Sequence, residues 1–333
     1  MILNPAIIAL EFDSLLMTAF TGYATVNAIQ ILRNWDMQSG SEGQLQLERK
    51  TYLISTILAY VMGFEIISLI LFTYTTEHIH DLFVGAMCAA GSLNVNDYGY
   101  PTLVLKGLNC ILCGQWLIVN YTDNMAPDYP LIRAKYKLLL IIFPSLLLES
   151  FFQMQYFLRM KPDVITSCCG LLFSEGDYTL ASDIAALPPY ATKIIFFVSL
   201  AITIRIGIHF LWTGKAAGIF SLATTCLMIL SLLSIISFIA PYFYALPTHH
   251  CPFCLLQKEY HYIGYPLYFS LLTGCIAGLG VGVLDYFQPS SSLLDLVPAL
   301  QKRLCLISII GYVLFAAISV YPILFSDFKL EGY

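Results

Sequence analysis

Long apolar runs separated by short polar segments dominate the chain. About 20 consecutive apolar residues of helix cross a bilayer, and irregular backbone is not tolerated in lipid. The runs lie at about 5–31, 51–74, 101–121, 137–157, 188–211, 217–242, 263–286 and 303–324. The sequence therefore predicts an all-α, polytopic membrane bundle of eight helices, which forms a single transmembrane domain over residues 1–333.

Lysine and arginine are shared unequally between the two sets of loops, and the richer set faces the cytoplasm. One side carries ten of them: Arg33, Arg49, Lys50, Arg133, Lys135, Lys137, Arg205, Lys215, Lys302 and Arg303. The other side carries six: Lys106, Arg159, Lys161, Lys193, Lys258 and Lys329. We therefore expect both termini, and the loops 75–100, 158–187 and 243–262, to lie on the periplasmic or extracellular side of a bacterial-type cytoplasmic membrane.

Composition narrows the possible partners. The chain is 58% hydrophobic and 11% charged, whereas soluble domains carry about 25% charged residues. The net charge of −5 argues against nucleic acid, which selects basic surfaces. Residues 1–32 contain no basic n-region and no A-x-A site, so we expect the first run to be a retained helix. The expected partners are the lipid bilayer and, through a stripe of glycines in helix 263–286, other subunits.

The outer loops are rich in cysteine. Five of the ten cysteines fall there: Cys88, Cys168, Cys169, Cys251 and Cys254. Disulfides form in oxidising compartments, and two disulfides between these loops would leave one thiol over. One hypothesis is therefore a non-catalytic membrane subunit of a larger complex, whose loops are stapled by disulfides.

The stretch His249-His250-Cys251-Pro252-Phe253-Cys254 suggests thiol chemistry. The first thiol of a C-x-x-C pair is often the attacking thiolate, and a protonated histidine beside it favours that form. Mixed disulfides would pass electrons between this pair and the other outer cysteines. The candidate catalytic residues of such a thiol–disulfide exchange or electron relay are Cys251, Cys254, Cys168, Cys169 and Cys88.

The same residues also form a set of metal ligands. Thiolates and imidazoles suit Zn(II), Cu(I) and iron–sulfur centres. The candidate ligands are Cys251, Cys254, Cys168, Cys169, Cys88, His249 and His250. The residue pattern leaves disulfide staples, thiol exchange and binding or transport of a soft metal open, and with them the question of whether the protein is an enzyme.

The four residues Cys251-Pro252-Phe253-Cys254, at the outer end of a membrane helix, resemble the C-P-x-C of the vitamin K epoxide reductase and DsbB families. Those families are quinone-coupled thiol oxidases built on small helical bundles. The resemblance is confined to this stretch. It implies that Cys251 and Cys254 form a quinone-facing pair, with a membrane quinone as the cofactor.

Four ionisable residues are expected inside the spans, in one layer beneath the cysteine loops: Glu11, Glu65, Glu149 and Lys193. Ionisable groups at membrane depth are costly, and they pair with one another or serve a function. Two interpretations follow. Either these residues lock the bundle together, or they form a proton or cation path coupled to the outer cysteines.

Overall fold

The computed structural model describes residues 3–36, 41–161, 166, 187–287, 291–294 and 296–330. Regular structure within these ranges is helical, without a strand. The helices are α1 (Pro5–Asn34), α2 (Glu42–His78), α3 (Ala89–Leu93), α4 (Gly99–Met125), α5 (Ile132–Leu158), α6 (Pro189–Thr213), α7 (Ala217–Tyr244), α8 (Gly264–Tyr286) and α9 (Leu296–Phe325). Short 3₁₀ turns at His80–Leu82 and Cys254–Leu256 flank the cysteine loops.

All of these helices except the short α3 are long and apolar enough to cross a membrane, which makes eight spans in the part of the chain that the structure describes. The predicted all-α, multi-span bundle is therefore confirmed. Large apolar side chains such as Phe12, Leu222 and Phe269 are exposed on these helices, and lipid is the solvent that suits them. The side of the termini and the identity of the membrane stay predictions.

Helix ends are where the observed bounds differ from the predicted ones. Helix α2 begins at Glu42 rather than near residue 51, and α9 begins at Leu296 rather than near residue 303. The extension of α2, residues 42–50, is mostly polar or charged, whereas that of α9, residues 296–302, is mostly apolar and contains Pro298, Gln301 and Lys302. A predicted apolar run therefore marks only part of a helix.

The chain divides into two compact units. Unit 1 comprises Met1–Thr75, Asn96–Met160 and Val283–Leu300, and unit 2 comprises Thr76–Val95, Lys161–Gly282 and Gln301–Tyr333. The single transmembrane domain expected for residues 1–333 stays a prediction beside this division.

Unit 1 is built on α1, α4, α5 and the larger part of α2. Helix α5 packs against both α1 and α4. Trp116 and Tyr136 are fully buried in its apolar core, and the Trp116 indole donates a hydrogen bond of 3.1 Å to the Lys135 carbonyl.

Unit 2 contains α3, α6 and α7 with most of α8 and α9. Its apolar core centres on Phe196, whose ring lies 6.2 Å from that of Phe238 and 5.9 Å from that of Phe315. A Cβ atom on Gly278 would lie 2.6 Å from the Thr224 side chain. Gly282 likewise faces Ser221 of α7, whereas Gly274 faces Tyr312 of α9. The glycine stripe of α8 therefore serves close packing against α7 and α9 inside this unit. The contact of helix 263–286 with another subunit stays a prediction.

Candidate metal centre

Three cysteines from two distant loops converge in unit 2. Cys88 lies between α2 and α3, while Cys251 and Cys254 lie between α7 and α8. One sulfur atom from each lies within 4.8 Å of the other two, and the Cys88 and Cys251 sulfurs are 3.5 Å apart. These residues are 0%, 0% and 5% exposed, and they belong to the apolar core of unit 2. The result is a buried cluster of thiols that could bind a metal ion.

The loop that carries Cys88 is folded tightly on itself. Gly85 has a φ of 88°, a conformation that glycine adopts without strain. A Cβ atom on Gly91 would lie 2.7 Å from the Cα of Ala86, so a larger residue there would force the turn open. Cys88 itself has extended backbone immediately before α3. The sequence around Cys88 thus fixes where its sulfur points.

Glu77 and Gln257 connect the two cysteine loops. One Glu77 carboxyl oxygen accepts a 2.7 Å bond from the backbone N–H of Ala89, and the other accepts a 2.7 Å bond from the Gln257 amide. The second amide hydrogen of Gln257 is donated to the Met87 carbonyl, also at 2.7 Å. The residues on both sides of Cys88 are therefore held by side chains that also hold the Cys254–Leu256 turn.

Two tyrosines hold the backbone of the C-x-x-C loop. The Tyr244 hydroxyl at the end of α7 donates to the carbonyl of Cys251 at 2.6 Å, and the Tyr268 hydroxyl in α8 donates to the carbonyl of Pro252 at 2.6 Å. Both phenols thus donate to carbonyls within the C-x-x-C turn. The two thiols are positioned from the helix ends on either side of them.

The two histidines have different environments. The His249 Nε2 atom lies 3.4 Å from the Cys254 sulfur, and its ring packs edge-on against Tyr244 at 4.5 Å. Burial lowers the pKa of the His249 imidazole, so the neutral ring has a nitrogen lone pair to donate at pH 7.

His250 holds the loop to α7. Helix α7 contains one wider turn at Ile235–Ile239, in which the N–H of Ala240 bonds to the carbonyl of Ile235. The corresponding bond to the Ile236 carbonyl would come from the N–H of residue 241, but residue 241 is a proline and has no N–H. The Nδ1 atom of His250 lies 2.8 Å from this carbonyl oxygen of Ile236.

The predicted site residues are thus partly brought together. Cys88, Cys251 and Cys254 form the cluster, and His249 lies against it. Cys168 and Cys169 lie outside the described residues. No disulfide joins any of the eight cysteines in the ranges that the structure describes.

The four ionisable residues predicted to lie inside the spans do not all belong to the same unit. Glu65 and Glu149 are buried in unit 1, and Glu11 lies 3.4 Å from the Gln153 amide in the same unit. The cation that pairs with Glu149 is Lys106, at 2.7 Å. Lys193 belongs to unit 2, where its Nζ atom lies 5.8 Å from the centre of the Tyr242 ring.

Comparison with known proteins adds no assignment: no family model, no curated protein and no solved structure matches the chain. The chemistry of the site therefore has to be argued from its own geometry. Three buried thiols with an imidazole beside them can bind a soft cation as thiolates, or two of them can be oxidised to a disulfide.

Proposed function

We propose that the protein is a multi-span membrane protein that binds a soft metal ion through Cys88, Cys251 and Cys254, with His249 as the fourth donor. The observation that carries the proposal is the convergence of the three sulfurs within 4.8 Å of one another. Zinc–sulfur bonds of about 2.3 Å at tetrahedral angles put two ligating sulfurs about 3.8 Å apart. The Cys88 and Cys251 sulfurs are 3.5 Å apart, whereas a disulfide brings them to about 2.0 Å.

Burial of the thiols also supports metal binding over exchange with another protein. Cysteines that exchange disulfides are partly exposed, so that a partner thiol can reach them. Cys88 and Cys251 are fully buried, and Cys254 is nearly so. Their neighbours in the apolar core include Leu255 and Leu267. A small cation can be held in such a place, while a protein substrate cannot reach it without the loop opening.

Zn(II) fits the donor set best. Three thiolates and one imidazole form a common structural zinc set with four donors and no open coordination position. Iron–sulfur clusters are held mainly by four cysteines, and three thiols meet here among the described residues. The proposed role is therefore to bind zinc and thereby join the Cys88 loop to the Cys251–Cys254 loop, because metal-binding energy becomes folding energy.

Metal analysis of the purified, detergent-solubilised protein tests the proposal. We expect one zinc ion per chain in the wild type after purification without chelator. Cys251→Ser should lose it, while Cys226→Ser, which changes an exposed cysteine on α7, should keep it. A wild-type protein that stays metal-free when zinc is supplied would contradict the proposal. So would equal zinc loss in the two variants.

A second candidate function is thiol–disulfide exchange, and the contact of 3.5 Å between the Cys88 and Cys251 sulfurs favours it. In that reaction the two thiols lose two electrons and two protons and form one disulfide, and a membrane quinone accepts both and becomes a hydroquinone. Intact mass after alkylation decides it. Adding quinone to metal-free protein should protect two thiols in the wild type and none in Cys88→Ser. Full alkylation of the wild type would remove this candidate.

We also propose, from the loop charges, that the metal centre faces the outside of a bacterial-type cytoplasmic membrane. A membrane-impermeant maleimide tests this in intact cells. Cysteine placed at exposed Lys258, in the C-x-x-C loop, should react directly, whereas cysteine at exposed Lys215, between α6 and α7, should react only after permeabilisation. The opposite pattern would invert the topology.

A further inference from the structure

A second polar centre lies inside unit 1, apart from the cysteine cluster. Glu65 on α2, Lys106 on α4 and Glu149 on α5 are 1%, 0% and 2% exposed. The Lys106 ammonium lies 2.7 Å from one Glu149 oxygen and donates a 2.9 Å bond to the Ser68 hydroxyl. The Asn109 amide donates to the other Glu149 oxygen. Both oxygens of Glu149 are thus supplied with donors, as an ionised carboxylate requires.

Glu65 has a different environment. Its carboxyl group interacts with that of Glu149, while its Oε1 atom is buried without a hydrogen-bond partner. Ionised carboxylates only accept hydrogen bonds. An ionised Glu65 would therefore leave a buried, charged oxygen without a donor, whereas both oxygens of Glu149 have donors. Glu65 is thus the residue of the two that carries a proton.

Charge balance gives the same result. Lys106 supplies one positive charge, and its ion pair with Glu149 is neutral. A further ionised carboxylate at this depth would be a buried charge without a counter-ion, which is strongly unfavourable in a membrane. The other titratable groups that face the pair are Asp13 and Glu11 on α1 and Cys113 on α4, and none of these can supply a second positive charge.

We infer that Glu65 carries an exchangeable proton, so that Glu65 and Glu149 form a proton-binding site within the membrane-spanning part of unit 1. Asp13 connects this site to the surface of the unit. It is only half-buried, and its carboxyl group interacts with Ser68, which in turn accepts a hydrogen bond from Lys106. The proton of Glu65 exchanges with the surroundings through this chain, which includes the Lys106 ammonium group between Ser68 and Glu149. Each step is a proton transfer between an acid and a base, without any redox step.

The same substitution, glutamate to glutamine, should have different effects on stability at the protonated Glu65 and at the ionised Glu149. Glu65→Gln replaces a neutral acid by a neutral amide of the same shape, so its thermal midpoint should stay close to that of the wild type. Glu149→Gln leaves Lys106 buried without its counter-ion, and its midpoint should fall by roughly 10 °C. Equal losses in the two variants would overturn the inference, because Glu65 would then be an ionised partner.

Infrared difference spectroscopy of the full-length protein detects the proton itself. The wild type should show the C=O stretching band of a protonated carboxylic acid, which shifts in D₂O, and Glu65→Gln should lack it. Asp13→Asn should keep the band and slow its shift. A band retained in Glu65→Gln, a band that never shifts in D₂O, or an unchanged rate in Asp13→Asn would contradict the inference. Loss of the band on adding Na⁺ but not K⁺ at constant pH would assign the site to a metal cation instead.

Discussion

Replacing Glu77 by glutamine should weaken the proposed zinc site without touching a ligand. The Glu77 carboxyl group accepts bonds from the Ala89 N–H and from the Gln257 amide. Glutamine still accepts one bond through its oxygen, but its NH₂ group then faces the NH₂ group of Gln257, and two donors cannot bond to each other. The change therefore removes the bridge between the two cysteine loops while keeping the size of the side chain.

The cost follows from the bonds that are lost. A hydrogen bond to a charged group contributes about 1.5–3 kcal/mol. One such bond disappears, and the bond to Ala89 becomes one between neutral groups, so we expect a loss of about 2–4 kcal/mol in unfolding free energy. That corresponds to roughly 5–15 °C in the thermal midpoint of unit 2. Zinc affinity should fall about 10- to 100-fold, as is usual when the groups that orient metal ligands are changed.

Competition between the protein and a zinc chelator, measured together with thermal unfolding, checks both numbers. Glu259→Gln is the matched control, because it makes the same chemical change at an exposed position in the same loop. The double variant of Glu77→Gln with Gln257→Glu restores a donor facing an acceptor, and it should recover part of the loss. Zinc affinity and midpoint in Glu77→Gln equal to those of Glu259→Gln would refute the reasoning.

Three further predictions concern packing, charge and metal. Gly278→Ala should lower the free energy of unfolding by about 1–3 kcal/mol, because the added Cβ atom overlaps the Thr224 side chain. The control is Gly218→Ala, where the added Cβ atom meets open space. This control should be neutral or stabilising in the same thermal unfolding assay. Lys106→Met should destabilise the protein by about 3–5 kcal/mol, and Lys106→Met combined with Glu149→Leu should be more stable than the single variant; an equally unstable double variant would contradict a buried ion pair. Chelation of zinc should lower the wild-type thermal midpoint. The loss of unfolding free energy should be about 4 kcal/mol if the free zinc concentration before chelation was about 1,000 times the dissociation constant. Chelation should have no effect on a cysteine variant that lacks the metal.

The fold could be predicted because few backbone structures are stable inside a lipid bilayer. An apolar run of this length must be helical to satisfy its backbone, so the eight runs predict eight spans. The starts of α2 and α9 could not be predicted in the same way. Helix α2 begins in a polar segment, and α9 begins before Pro298, Gln301 and Lys302, which interrupt the apolar pattern.

The candidate site could be predicted only in part. The proximity of Cys251 and Cys254 follows from their spacing, but Cys88 lies 163 residues from Cys251 along the chain. Their convergence depends on how α2, α3 and the loop after α7 pack, which no local pattern specifies. The roles of Tyr244 and Tyr268 could not be predicted either, because a tyrosine near a helix end is equally typical of the membrane interface.

The ion pair between Lys106 and Glu149 in unit 1 could not be predicted from the sequence pattern either. Lys106 comes soon after the polar segment that precedes α4, so the sequence predicts that it lies on the outer side with the loop charges. The structure has it buried against Glu149. The available signal was electrostatic: Glu65 and Glu149 at membrane depth require a positive charge at the same depth, and Lys106 is the lysine of α4 that can reach them.

X-ray absorption spectroscopy of the zinc-loaded protein tests the central claim most directly, because it counts the atoms bound to the metal. We expect three sulfur neighbours at about 2.3 Å and one nitrogen neighbour at about 2.0–2.1 Å. In Cys88→Ser, the sulfur count should fall by one or zinc binding should be lost. A zinc ion surrounded only by oxygen and nitrogen, or a sulfur count unchanged in Cys88→Ser, would contradict the central claim.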